Sequence, residues 1–94
     1  MTLTASATLY ADPEVLATEF GDEVVLLNLR DGVYYGLEDV GRVIWTALRR
    51  PVTVQGICDA VLDAYDVEPD RCQRDVLAVI QDLIDHSLIQ VQRT

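Results

Sequence analysis

Three side chains in this 94-residue chain have the chemistry to serve as nucleophile, base or soft metal ligand: Cys58, Cys72 and His86. A thiolate activated by a histidine attacks carbonyl carbon, and thiolates with imidazole hold zinc when closely spaced. Neither pattern is present. No nucleophile motif surrounds the cysteines, and the three residues lack close ligand spacing. Both cysteines fall on apolar stripes of predicted helices, where they read as small reduced core residues. His86, near the end of the last helix, complements the negative end of that helix's dipole. The chain is read as non-catalytic, with no metal and no cofactor.

The chemistry that remains is that of an open backbone. Residues 32–45, GVYYGLEDVGRVIW, carry a short aromatic strand straight into an amphipathic helix. Residues 33–37 hold no Lys, no Pro and no charge, the devices that normally keep a strand edge from pairing with another chain. A peptide can add itself to such an edge as the next strand, with alternate side chains directed to a neighbouring wall. The candidate contacts on the strand are Val33, Tyr34 and Tyr35. On a helical wheel Cys72, Val76, Val79 and Leu83 share a flank that could form the wall, with Asp75 beside it to accept a peptide hydrogen bond. The plain structural reading turns Val33, Tyr35 and Leu37 inward and leaves Asp75 a solvated helix charge.

These residues are positioned by elements that the sequence punctuates well. Residues 1–13 are small and polar and are expected to be only partly ordered, with one domain over residues 14–94. Residues 15–20 read as a strand, Gly21-Asp22 as a turn, and residues 23–29 (EVVLLNL) as a central strand covered at least partly on both faces. Asp31-Gly32 signals a hairpin, since glycine accepts the positive φ of a tight turn. Residues 33–37 then complete a meander and lie at its edge. Glu38-Asp39 is the expected cap of a helix with the stripe Val40, Val43, Ile44, Ala47 and Leu48, stopped by Pro51. Thr53 caps a second helix with the stripe Val54, Ile57, Cys58, Val61, Leu62 and Tyr65. Pro69 opens a third, with Glu68 and Asp70 at its positive dipole end. Its apolar band is wide, and residues 88–91 form a last strand. The expected fold class is α+β: an N-terminal three-stranded antiparallel meander, then a three-helix winged helix-turn-helix with a short C-terminal strand.

Composition narrows the partners. The formal charge is −9, and all seven basic residues are arginine. The recognition-like third helix sets Glu68, Asp70, Asp75, Asp82 and Asp85 against Arg71 and Arg74. Phosphate would be repelled, so a winged-helix DNA-binding regulator is the disfavoured rival and no nucleic-acid partner is expected. A neutral or basic partner fits the negative field. No apolar run approaches the roughly 20 residues that span a bilayer, and the N-terminus lacks a signal-peptide pattern. A cytoplasmic protein with no membrane partner is expected, either monomeric or weakly dimeric through the free edge.

The run DGVYYGLEDVGRVIWTAL, followed by PVTVQGICDAVLDAYDVEPDRCQRDVLAVIQDLIDHSLI, resembles the pyrroloquinoline-quinone biosynthesis protein D (PqqD-like) family. The features that carry it are Gly32, Tyr35, Leu37, Gly41, Ile44-Trp45, Tyr65, Asp75-Val76 and Leu83, and it covers roughly residues 15–91. The resemblance implies a RiPP recognition element, a module that binds the leader segment of a ribosomally made precursor peptide. The leader would lie as an added strand between the third predicted strand and the third helix. Carried over by position, its contacts would be Val33, Tyr34, Tyr35, Cys72, Asp75, Val76, Val79 and Leu83. Within the family the chain is most similar to stand-alone leader-binding proteins of lasso-peptide pathways. The implied partners are a transglutaminase-like cysteine leader peptidase and an asparagine-synthetase-like cyclase. The second branch presents its peptide to a radical SAM enzyme in quinone-cofactor biosynthesis.

Overall fold

The computed structural model describes residues 3–92 and contains two small antiparallel sheets joined by three helices. The strands are β1 (Thr8–Ala11), β2 (Val15–Phe20), β3 (Glu23–Asn28), β4 (Val33–Leu37), β5 (Val52–Thr53) and β6 (Ile89–Val91). The helices are α1 (Val40–Ala47), α2 (Val54–Ala64) and α3 (Pro69–Asp85). The α+β class and the meander followed by a helical unit are as the sequence indicates.

The meander is β2-β3-β4. Its two turns are made by Gly21 at φ 58° and Gly32 at φ 70°, the left-handed region that costs a glycine nothing. At the second turn Gly32 N–H donates to Asn28 O at 2.8 Å, and Val33 N–H donates to Asp31 Oδ1 at 2.9 Å. The register is thereby fixed: Asn28 faces Val33, Leu26 faces Tyr35 and Val24 faces Leu37. Val24, Leu26 and Asn28 are buried, whereas Glu23, Val25 and Leu27 on the other face are only half-covered. Directly opposed residues share a face, so Leu16, Leu27 and Tyr34 form one row across that outer side.

The second sheet, β5-β1-β6, corrects the expectation for the N-terminus. Residues 8–11 are not a loose segment, and the domain does not begin at residue 14. Strand β1 lies between β5 (Leu9 opposite Val52) and β6 (Leu9 opposite Val91, Ala11 opposite Ile89). Leu9 is fully buried, worth about 1.5–3 kcal/mol for a side chain of that size. The residues TLYA show no local pattern because their partners lie far along the chain. Residues 1, 2, 93 and 94, which the expected boundaries include, lie outside the described residues.

Asp12 fastens the two sheets together. It is buried, yet its carboxylate accepts from both the Arg30 guanidinium (3.0 Å to each oxygen) and Gln90 Nε2 (2.6 Å). Glu14 N–H donates to it as well, at 2.8 Å. Burial alone would raise its pKa, but the bonds from Glu14, Gln90 and Arg30 prevail and hold it below the ordinary aspartate value.

Helices α1 and α2 bury the centre of their predicted stripes, Ile44 and Leu48 from the first and Val54, Ile57, Cys58 and Val61 from the second, with Trp45 buried beside the first. Tyr65, expected on the second stripe, is instead the exposed C-cap of α2. Thr53 caps α2 by accepting from Gly56 N–H at 3.0 Å, as its position indicates. The expected Glu38-Asp39 cap is corrected. Asp39 occupies the N-cap position at φ 50° and its side chain makes no capping bond. A strand must turn sharply into a helix there, and aspartate tolerates the left-handed conformation better than most residues.

Candidate functional site

Strand β4 is an edge of its sheet, since β3 pairs with it on one side and, among the described residues, no strand pairs with it on the other. In an antiparallel ladder, alternate residues aim their N–H and C=O groups away from the partner strand. Among the described residues, no backbone group from outside the sheet reaches residues 33–37. Tyr34 is 68% exposed and Val33 is also open to solvent, while Tyr35 and Leu37 pack against the core.

What lies beside this edge is decided by one aromatic contact. The Tyr35 ring meets the His86 imidazole edge-on, with centroids 5.2 Å apart and planes at 66°. His86 is the C-cap of α3 and its Nδ1 lies 2.8 Å from Asp82 O. Asn28 adds a second tie, donating from Nδ2 to His86 O at 3.3 Å and accepting from Arg30 N–H at 3.0 Å. The C-terminal end of α3 is therefore pinned to β3 and β4. Counting back from His86 in steps of four and three gives Asp82, Val79 and Asp75, one stripe of a 3.6-residue helix.

The wall expected on α3 was Cys72, Val76, Val79 and Leu83. Cys72, Val76 and Leu83 are instead core residues, each at most 3% exposed. Val79 is half-buried and Asp75 is exposed, with Arg71 Nε at 3.8 Å. The flank anchored at Tyr35 is thus rotated about 60° from the predicted one, taking 100° per residue. The reason is packing. Helix α2 lies against the Cys72 side of α3, where Cys72 Sγ sits 3.8 Å from Cys58 O. Val79 belongs to both flanks, Asp75 moves from beside the expected wall onto this stripe, and Asp82 and His86 are the members of the stripe that sequence reasoning missed. Their signal was the step of four and three from Asp75.

No catalytic pairing arises from the three reactive residues. Cys72 and His86 stand at opposite ends of α3, roughly 21 Å apart at 1.5 Å per residue. Burial pushes both thiols above the ordinary cysteine value; Cys72 and Asp59 add to this at Cys58, and Asp75 adds to it at Cys72, where the hydrogen bond with Cys58 opposes it without prevailing. Thiols of this kind are poor nucleophiles. Among the described residues no group of three or more His, Cys, Asp or Glu is arranged to hold a metal ion, and no helix is long and apolar enough to cross a membrane.

Residues 23–89 match the family model described as coenzyme PQQ synthesis protein D (PqqD). Among solved structures, the fold is similar to that of TbiB1 in complex with the TbiA(beta) leader peptide, with a TM-score of 0.83 and 30% sequence identity. That match covers 90% of this chain and 99% of TbiB1. A lasso peptide synthetase B1 complexed with its leader peptide has the same fold, with a TM-score of 0.77 and 23% identity over 87% of this chain and 96% of that one. No curated protein sequence matches the chain.

Proposed function

The chain belongs to the PqqD family, and from that membership we propose that it binds the leader segment of a ribosomally made precursor peptide without chemistry of its own. The leader adds as a fourth strand to β4, its backbone pairing with residues 33–37 and its alternate side chains resting along α3. The observation that carries this reading is the unguarded β4 edge, set beside the stripe of Asp75, Val79, Asp82 and His86. Val33, Tyr34 and Tyr35 form the strand side of the site. Asp75 and Val79 form the helix side directly, and Cys72, Val76 and Leu83 support it from the core.

The pathway is lasso-peptide maturation, in which the bound leader is delivered to a transglutaminase-like cysteine leader peptidase and an asparagine-synthetase-like cyclase. The two similar leader-complexed structures favour this branch over presentation to a radical enzyme in quinone-cofactor biosynthesis. The formal charge of −9 favours a neutral or basic leader and speeds its encounter. A cytoplasmic setting fits two reduced, buried cysteines.

Isothermal titration with the leader of the precursor encoded beside this chain tests the reading. Binding at micromolar affinity or tighter is expected, about −8 kcal/mol. Absence of binding in that range would overturn it.

A further inference from the structure

The other edge of the same sheet carries a different chemistry. Glu19 on β2 faces α1 and the turn after it: Arg42 Nη2 of the helix lies 3.9 Å and Arg49 Nη2 of the turn 3.7 Å from the same oxygen, Glu19 Oε1. Both distances exceed a good N–H···O bond, so one carboxylate leaves two guanidinium forks largely unspent. Arg42 Nε is moreover buried, with no protein acceptor among the described residues. Such a group calls for an explanation.

Between these groups is an open groove of about 390 Å³ whose apolar side is formed by Val43 and Ala47 of α1 and Ala60 of α2. A guanidinium fork matches a carboxylate in two parallel hydrogen bonds. We propose that this groove docks a protein partner through an acidic side chain held by Arg42 and Arg49, with apolar neighbours of that side chain resting on Val43, Ala47 and Ala60. Charge complementarity selects the occupant: elsewhere the negative field of the chain repels an acidic segment, and here two arginines outnumber one glutamate. Glu19 acts as the placeholder that the partner's carboxylate displaces or joins. The groove borders β2 whereas the peptide edge is β4. Both sites can therefore be filled at once, and this inference does not rest on the leader reading.

The test is an NMR titration of the full chain with the peptide acetyl-Ala-Leu-Glu-Leu-Ala-amide and its Gln counterpart, each to about 10 mM, past the range of a millimolar site. The Glu peptide is expected to give saturable shifts at the Arg42 and Arg49 side chains and at Val43, Ala47 and Ala60. The Gln peptide should bind at least about fivefold more weakly, as loss of a charge-assisted fork demands. Glu19→Gln should tighten the Glu peptide about threefold or more by removing the competitor, and Arg42→Gln with Arg49→Gln should abolish saturation. No saturable shift, equal binding of the two peptides, or unchanged or weaker binding to Glu19→Gln would overturn the proposal. The last two outcomes need no arginine variant, so they hold even if that variant is unstable. Added leader peptide should leave the groove shifts unchanged, and a leader that fails to bind counts against the β4 reading alone.

Discussion

The two edges of the β2-β3-β4 sheet are made from similar residues and left in opposite states. Strand β2 shows Leu16 and Phe20 to solvent, the latter 65% exposed, yet it carries Glu19 turned inward toward Arg42 and Arg49. An inward-pointing charge is one of the devices by which natural sheets blunt an edge. Strand β4 shows Val33 and Tyr34 and carries no charge at all. The difference is not hydrophobicity, which the edges share. What separates them is the cost of laying another strand alongside: at β2 a guest must disturb an ion trio, and at β4 it need only displace water.

The largest way to break this comparison is to loosen the sheet that both edges share. Asp12→Asn removes the charge that Arg30 and Gln90 hold between the two sheets. We expect a loss of about 2–3 kcal/mol, in line with charge-assisted bonds to a buried group, read as a fall in Tm of roughly 10 °C or more. The pH dependence has a defined sign. The folded-state pKa of Asp12 lies below its unfolded value of 3.8, so its contribution is complete above that value and is lost as pH falls beneath it. Asp12→Asn should flatten that part of the stability profile, measured by denaturation between about pH 5 and pH 2.

A proline scan of β4 sharpens the comparison next. Of Tyr34→Pro and Tyr35→Pro, one removes an amide that faces outward and the other an amide that bonds β3. The outward one should keep its fold by circular dichroism and lose leader affinity by about tenfold or more, equivalent to ~1.4 kcal/mol. The inward one should lose stability first. Two proline variants that both fold and both bind normally would remove β4 as the site. Placing a guard on the open edge, Tyr34→Lys, should weaken leader binding by a smaller factor, about 1 kcal/mol or less. The smallest effect belongs to Glu19→Ala. It removes a half-exposed ion trio worth under about 1 kcal/mol, and its readout is self-association through β2 in sedimentation at high protein concentration.

Local chemistry in the sequence marks the meander well. Asp31-Gly32, Thr53 and Pro69 act within a few residues of themselves, and each does in the structure what its type predicts. Strand β1 is different, because TLYA becomes a strand only through partners about 40 and 80 residues further on. Asp12 falls in the segment expected to be only partly ordered for the same reason, its side-chain donors being Arg30 and Gln90. On α3 the difficulty was breadth. Its apolar band, Cys72, Val76, Leu77, Val79, Ile80, Leu83 and Ile84, is too wide to say which side α2 will take. The true orientation follows from His86 against Tyr35, a contact between residues 51 positions apart in sequence.

The pairing of β1 with β6 also has a practical reading. Gln92 N–H donates to Thr8 O at 2.8 Å, so the first and last strands of the fold lie side by side, while Ala5 and Ala7 ahead of β1 accept from Gln55 and Val54 N–H at the start of α2. A unit wired in this way can be spliced into a loop of an unrelated enzyme with short tethers on both sides. The two joints would leave the domain near one another, at the edge where neighbouring strands run about 5 Å apart.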